Sequence, residues 1–316
     1  MILRSFTQNS PLLPIIYPLV IILIILSGHQ ELWLHSQNTP LAWMSPLILN
    51  ISFILILSFN ALLANQIYNR SELYHSPVYL TGLIYAIFSS IACVQTGNLM
   101  VLIAQSFSLI GVYFAFSIFR QKKIAHFLFS SALFLGLATL IDQRHVTFIL
   151  LLFFLSIWNR PFSIKDIALV IIGFFTPMLY WNLWIWLSLT PSVMPSFWPF
   201  QEILNLSFSH KPSLTFIVSL IASLTLAVIS LSQKEDRQSN KTVQSKQYLI
   251  IFLILSILSN LIDYFLNHQL NISHVLSLAP ILLLSQYWTH YRTSLLAPFV
   301  FYISLIIAVI EFFHWF

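Results

Sequence analysis

Apolar runs close to the length that spans a bilayer recur from one end of this chain to the other, each bounded by a short polar turn. A transmembrane helix needs about 20 apolar residues, because the hydrocarbon core is about 30 Å thick and a helix rises about 1.5 Å per residue. Eleven stretches approach that length: roughly 11–28, 43–64, 77–94, 98–119, 125–141, 146–159, 166–188, 214–232, 248–266, 272–288 and 294–313. The pattern predicts an all-α fold, a polytopic transmembrane helix bundle of about 11 spans. Composition agrees, since 58% of the 316 residues are hydrophobic and 7% are charged. A soluble domain is about 25% charged. The chain has too few polar residues to cover a water-facing surface, and membrane lipid is its expected solvent. One Arg precedes the first run and no small-residue cleavage site follows it, so it reads as an uncleaved first span.

Basic residues set the orientation. With the N-terminus inside, the inner face carries Arg4, Arg70, Arg120, Lys122, Lys123, Arg160, Lys165, Lys234, Arg237, Lys241, Lys246 and Arg292, and the outer face only Arg144 and Lys211. The positive-inside rule therefore places the N-terminus in the cytoplasm, and an odd number of spans places the C-terminus outside. The net charge of +5 is scattered between apolar runs, which excludes nucleic acid as a partner. A single cysteine, Cys93, excludes an intrachain disulfide and a cysteine metal cluster.

The longest outer loop, 190–213, is broken by Pro191, Pro195, Pro199 and Pro212. Between the prolines, Phe200, Ile203, Leu204 and Phe208 recur at helical spacing and predict a short amphipathic helix lying in the interface. Residues 233–247 read as a polar, flexible cytoplasmic loop. It would divide an N-terminal bundle, 1–232, from C-terminal helices, 248–316. No internal repeat is evident.

Chemistry-bearing groups concentrate on the outer side. In the stretch 132–158, Asp142, Gln143, Arg144 and His145 sit between two apolar segments. Span 146–159 is short, and it is either a half-span or a helix that extends past Arg144. Backbone that ends inside a membrane is tolerated only where protein or a watery cavity covers it, so residues 142–145 are a candidate cavity wall. Arg144 departs from the positive-inside pattern, which suits a phosphate-binding role. Asp142 would orient it or bear on an acceptor, and His145 would donate a hydrogen bond or a proton. A local Asp–Arg pair in a tight turn is the plainer alternative.

Glu31 follows the first span beside Trp33. It reads either as a general base for an acceptor hydroxyl or as a solvated loop acid next to an interfacial anchor. Asp263, toward the outer end of its span, is a functional candidate by its depth or an acid within reach of water. Glu202 and Lys211 belong to the interfacial helix and its surroundings, where a substrate-docking role competes with simple solvation. His29 and His35 lack metal-ligand spacing with a nearby carboxylate, so no metal is predicted. No Walker loop, dinucleotide fingerprint or serine-nucleophile elbow occurs, and no cofactor is predicted.

The layout resembles the C-type membrane glycosyltransferases, which take sugar from a polyprenyl-phosphate donor. The resemblance covers roughly residues 1–215. It rests on Glu31 after the first span, on short spans in mid-chain, and on RQKKIAHFLFSSALFLGLATLIDQRHVTFILLLFFLSIW, residues 120–158. That stretch is similar to the family's inner basic turn, small-residue helix, outer polar turn and following apolar helix. Over most of its length the chain also resembles a family of multi-pass inner-membrane proteins of Gram-negative bacteria to which no activity attaches.

The first resemblance implies transfer of a sugar from a lipid-linked donor to an acceptor at the outer face of the bacterial inner membrane. Glu31 or Asp142 would be catalytic. Arg144, His145, Lys211, Asp263 and Glu202 would bind substrate. The alternative is a non-enzymatic membrane subunit of an envelope assembly or transport complex, with a membrane-protein partner. A transporter is disfavoured, because inverted repeats and ionisable groups at mid-depth are missing from the sequence.

Overall fold

The computed structural model describes residues 13–27, 45–71, 78–96, 98–118, 124–159, 163–187, 240–267 and 285. Every described element is helical. A single 3₁₀ turn, Leu13–Ile15, leads into α1 (Ile16–Ser27). There follow α2 (Pro46–Arg70), α3 (Leu80–Thr96), α4 (Leu99–Ser117) and α5 (Ala125–Ile141). A 3₁₀ segment, Gln143–Phe148, runs directly into α6 (Ile149–Asn159), and α7 (Ile164–Leu187) and α8 (Asn240–Asn267) complete the set.

Local chemistry explains several boundaries. Ser45 caps α2, its hydroxyl accepting the Ile48 N–H at 3.4 Å, and Pro46 fills the first helical position, where no N–H is needed. Asn98 caps α4 by accepting the N–H groups of Met100 and Val101 at 3.0 and 3.4 Å. At the far end of α2 the Ser71 hydroxyl donates to the Tyr68 carbonyl at 2.6 Å, and the Asn69 side chain accepts the Val78 N–H at 2.8 Å. These bonds tie the start of α3 to the end of α2.

Among the described residues, three helices, α2, α4 and α7, are long and apolar enough to cross a membrane, and five further apolar helical segments are shorter. Their surfaces invert the pattern of a water-soluble bundle. On α2, Leu47, Ile48, Ile51, Leu55, Phe59 and Leu62 are exposed, while Asn60 and Asn65 are buried beside Ala61 and Ala64. On α7, Ile172, Phe175, Leu179, Leu183, Trp184 and Trp186 are exposed. Apolar surface this continuous is anomalous in water. It is compatible with a membrane protein, whose outer surface meets hydrocarbon.

Close backbone approach holds the middle of the bundle. A Cβ on Gly136 of α5 would collide with the Phe174 carbonyl of α7, and one on Gly173 of α7 would lie 2.8 Å from the Phe129 carbonyl of α5. The two glycines thus let α5 and α7, which run in the same direction, touch through their backbones, as small residues do where helices pack in lipid. On the other side of α5, Ser131 donates to the Gly111 carbonyl of α4 at 2.6 Å. Phe134 of α5 stacks on Phe107 and Phe114 of α4, at centroid distances of 6.3 and 5.7 Å. Arg70 joins α2 to α4, donating to the Ser117 hydroxyl at 2.7 Å with its guanidinium 4.3 Å from the Tyr113 ring centroid.

Two sequence expectations are refined. The short span does extend past Arg144, because helical structure continues from Gln143 through Asn159. At about 2.0 Å per residue for the six 3₁₀ residues and 1.5 Å for the eleven that follow, the arm measures about 28 Å. The polar stretch 233–247, expected as a flexible loop, is helical from Asn240 onward. It contains no Gly or Pro, and Ser245, Lys246, Tyr248 and Leu249 are buried. Packing therefore rewards the helix there. Spans 214–232 and 294–313, and span 272–288 apart from Ser285, lie outside the described residues.

Candidate functional site at the turn between α5 and α6

Helix α5 ends because Asp142 leaves the helical region, at φ −134° and ψ 107°. Its N–H still closes the last turn on the Ala138 carbonyl at 2.8 Å, and its own carbonyl accepts the His145 N–H at 3.1 Å. Asp142 thus ends one helix and occupies the N-cap position of the next segment, a place where aspartate is favoured. This single extended residue puts the side chains of positions 142 and 145 on the same side of the turn. The carboxylate Oδ2 of Asp142 stands 4.0 Å from Nε2 of His145.

Both side chains are enclosed. Asp142 is 0% exposed and His145 5%. Buried Thr147 and Phe148 follow on the same segment, and the His145 and Phe148 rings lie 5.6 Å apart. Farther along the chain, α8 packs against the same 3₁₀ segment. Phe252 of α8 packs edge-on against Phe148 at 5.1 Å, and Tyr248, one turn earlier, packs edge-on against Phe116 of α4 at 4.7 Å. A carboxylate and an imidazole at this depth exclude bulk water, so any interaction between them is weakly screened.

The level of the turn follows from α7. Because α5 and α7 run in the same direction and touch at Gly136 and Phe174, the end of α5 stands beside the C-terminal turns of α7. Leu140 shares a groove with Tyr180, Trp181 and Trp184. Tryptophan and tyrosine concentrate at membrane–water boundaries. Asp142 and His145 therefore sit near the level of this Tyr/Trp-rich C-terminal end of α7 rather than at the middle of the helices.

Of the residues singled out from sequence, the structure brings together Asp142 and His145. Arg144 lies between them on the described backbone, and Asp263 lies within α8. The side chains of both fall outside the described residues, as do Glu31, Glu202 and Lys211 altogether. The sequence made residues 142–145 a candidate cavity wall or a local pair in a tight turn, and the Asp142 and His145 side chains are buried. Phe148, beside the His145 ring, and Phe252, which packs on Phe148, carry no signal beyond apolarity. No group of three or more His, Cys, Asp or Glu side chains converges as a metal site among the described residues. Compared with known proteins, the chain matches no family, no curated protein and no solved structure.

Proposed function

We propose that this chain is a multi-pass protein of the bacterial inner membrane, with eleven spans and a cytoplasmic N-terminus. Its outer face transfers a sugar from a polyprenyl-phosphate donor to an acceptor. The observation that supports this reading is the Asp142–His145 pair, buried near the level of the Tyr/Trp-rich C-terminal end of α7 on a turn that also carries Arg144. An ionisable pair kept out of water beside apolar helices is costly and marks a functional site by default.

In this reading Asp142 fixes the His145 imidazole, and His145 and Arg144 set the polar end of the site. Arg144 neutralises the donor phosphate, assisted by Lys211, with Glu202 and Asp263 at the rim. Glu31 takes the proton from the acceptor hydroxyl. The acceptor oxygen then bonds to the anomeric carbon with inversion, the bond from that carbon to the phosphate oxygen breaks, and lipid phosphate leaves with the electron pair. Stabilising the departing phosphate is the largest contribution expected of the protein, so loss of Arg144 should cost about 10²–10³ in rate.

The test is sugar transfer by the purified protein in vesicles, supplied with a panel of polyprenyl-phosphate hexoses and a membrane extract as acceptor. Transfer that falls steeply in Arg144→Ala and Glu31→Gln supports the reading. Absence of transfer from every donor, or variants as active as the parent, overturns it. The second reading is a non-enzymatic membrane subunit of an envelope complex. It is favoured by the burial of both Asp142 and His145, which suits a structural pin as well as a site.

A further inference from the structure

We propose that Asn60 of α2 and Tyr85 and Ser89 of α3 hold bound water midway along the two helices, in a polar seam sealed inside the bundle. The proposal is independent of sugar transfer and uses no residue assigned to it.

The seam begins as a pattern in α3. Thr81, Tyr85, Ser89 and Cys93 recur every four residues, so they share one face of the helix. A polar face ordinarily turns to water. Here Thr81, Tyr85 and Ser89 are at most 4% exposed, because α1 and α2 both pack on α3. Asn60 and Asn65 of α2 are buried as well. Asn60 lies about 15 Å before the end of α2, and Ser89 about 14 Å after the start of α3, at 1.5 Å per residue. The bond from the Val78 N–H to the Asn69 side chain ties that end of α2 to that start of α3. Asn60 and Ser89 therefore reach a common level, well inside the bundle.

Polar side chains elsewhere in the bundle find protein partners. Ser90, next to Ser89, donates to the Ala86 carbonyl of its own helix, and Ser58, Ser106 and Thr139 each donate to the carbonyl four residues back on theirs. Tyr17 donates to the Tyr79 carbonyl. The seam departs from that pattern. The Tyr85 hydroxyl interacts with the Asn60 and Ser89 side chains, with Cys93 close by. Yet neither polar atom of the Asn60 amide, nor the Tyr85 or Ser89 hydroxyl, closes a hydrogen bond on a protein group. The three side chains stand near enough to act on one another and are not placed to bond directly.

The chemistry of these atoms selects the ligand. An amide that both donates and accepts, with two hydroxyls that do either, suits one small neutral molecule with donors and acceptors of its own. Water fits, since a buried water makes about three hydrogen bonds to otherwise unsatisfied polar groups. An ion does not, because none of the groups acting on Tyr85 is charged and a charge at this depth would go uncompensated. Bridging water also gives α2 and α3 the hydrogen bonds that polar residues supply between helices in lipid.

The test is water-edited solid-state NMR of the full-length protein in phospholipid bilayers, with ring-labelled tyrosine and the Tyr85 signal assigned by its loss in Tyr85→Phe. Magnetisation starts on water protons, and its build-up on each ring reports nearby water. The comparison is Tyr17, equally buried but bonded to protein. Tyr85 building up at least three-fold faster than Tyr17 supports the proposal, and any smaller difference overturns it. Asn60→Leu keeps the size of the side chain and removes both polar atoms. It should slow the Tyr85 build-up at least three-fold while leaving Tyr17 unchanged, and an unchanged Tyr85 build-up in the folded variant also overturns the proposal. If that variant does not fold, the comparison of Tyr85 with Tyr17 in the parent chain decides alone. No donor or acceptor is present, so the outcome is blind to sugar transfer.

Discussion

The Nε2 of His145 stands 4.0 Å from Oδ2 of Asp142, and both side chains are buried on a segment whose Phe148 packs against Phe252 of α8. Removing one member of a buried pair leaves the other in a site built for both, which typically costs about 3–5 kcal/mol. Asp142→Ala and His145→Ala should therefore each lower the unfolding midpoint in detergent. The double variant should lose less than the sum, with a coupling of about 0.5–3 kcal/mol. Strict additivity in a thermal double-mutant cycle would show that the two groups are neighbours without being partners.

The crossing of α5 and α7 yields a second prediction. Gly136 and Gly173 each face a backbone carbonyl of the other helix, and a carbonyl on a packed helix cannot swing aside as a long side chain can. Gly136→Val and Gly173→Val should each destabilise the bundle by about 1–3 kcal/mol, the usual cost of overpacking. Urea or thermal unfolding measures it. Ala125→Val, at the exposed first residue of the same helix, is the control. If either glycine variant unfolds at the parent midpoint, α5 and α7 do not approach through their backbones.

Arg70 distinguishes charge from shape. Its guanidinium lies over the Tyr113 ring and donates to the Ser117 hydroxyl. A lysine in its place keeps the positive charge that the orientation rule counts but loses the planar stack and fork. Arg70→Lys should leave orientation unchanged and cost about 0.5–1 kcal/mol, the value of an exposed or partly buried cation–π contact. Protease accessibility of the loops reads the first effect, and thermal unfolding reads the second. Equal stability of Arg70→Lys and the parent would reduce Arg70 to an orientation signal.

Hydropathy alone placed α4, α5 and α7 within a few residues of where they fold, because an apolar run bounded by polar turns has one solution in lipid. It placed the end of α2 less well. Residues 65–70, NQIYNR, are too polar to extend a span by composition, yet they are helical, because Ile67 and Tyr68 are buried and Arg70 reaches α4. The site was legible as a cluster of groups in sequence and not as an enclosure. Asp142 and His145 lie three residues apart and could be paired on paper. Phe252, which packs on Phe148 of the same segment, comes more than a hundred residues later. Nothing in a one-dimensional pattern says which helix packs against which turn.

The orientation proposed for the chain makes a final prediction that needs no assumption about activity. If the N-terminus is cytoplasmic and α7 runs outward, the connection between α6 and α7 is inside and the chain emerges outside after Leu187. Alkaline phosphatase folds only on the outer side of the bacterial inner membrane, so a fusion after residue 189 should be active and one after residue 161 inactive. The basic residues Arg160 and Lys165 flank the inner turn and set this sense. Replacing both with Gln weakens the bias without disturbing the apolar segments. It should raise the activity of the 161 fusion while lowering that of the 189 fusion. An active fusion at 161 in the parent chain would invert the topology. Asp142, Arg144 and His145 would then face the cytoplasm, where a donor in the outer leaflet could not reach them, and the transferase reading would fail with the orientation.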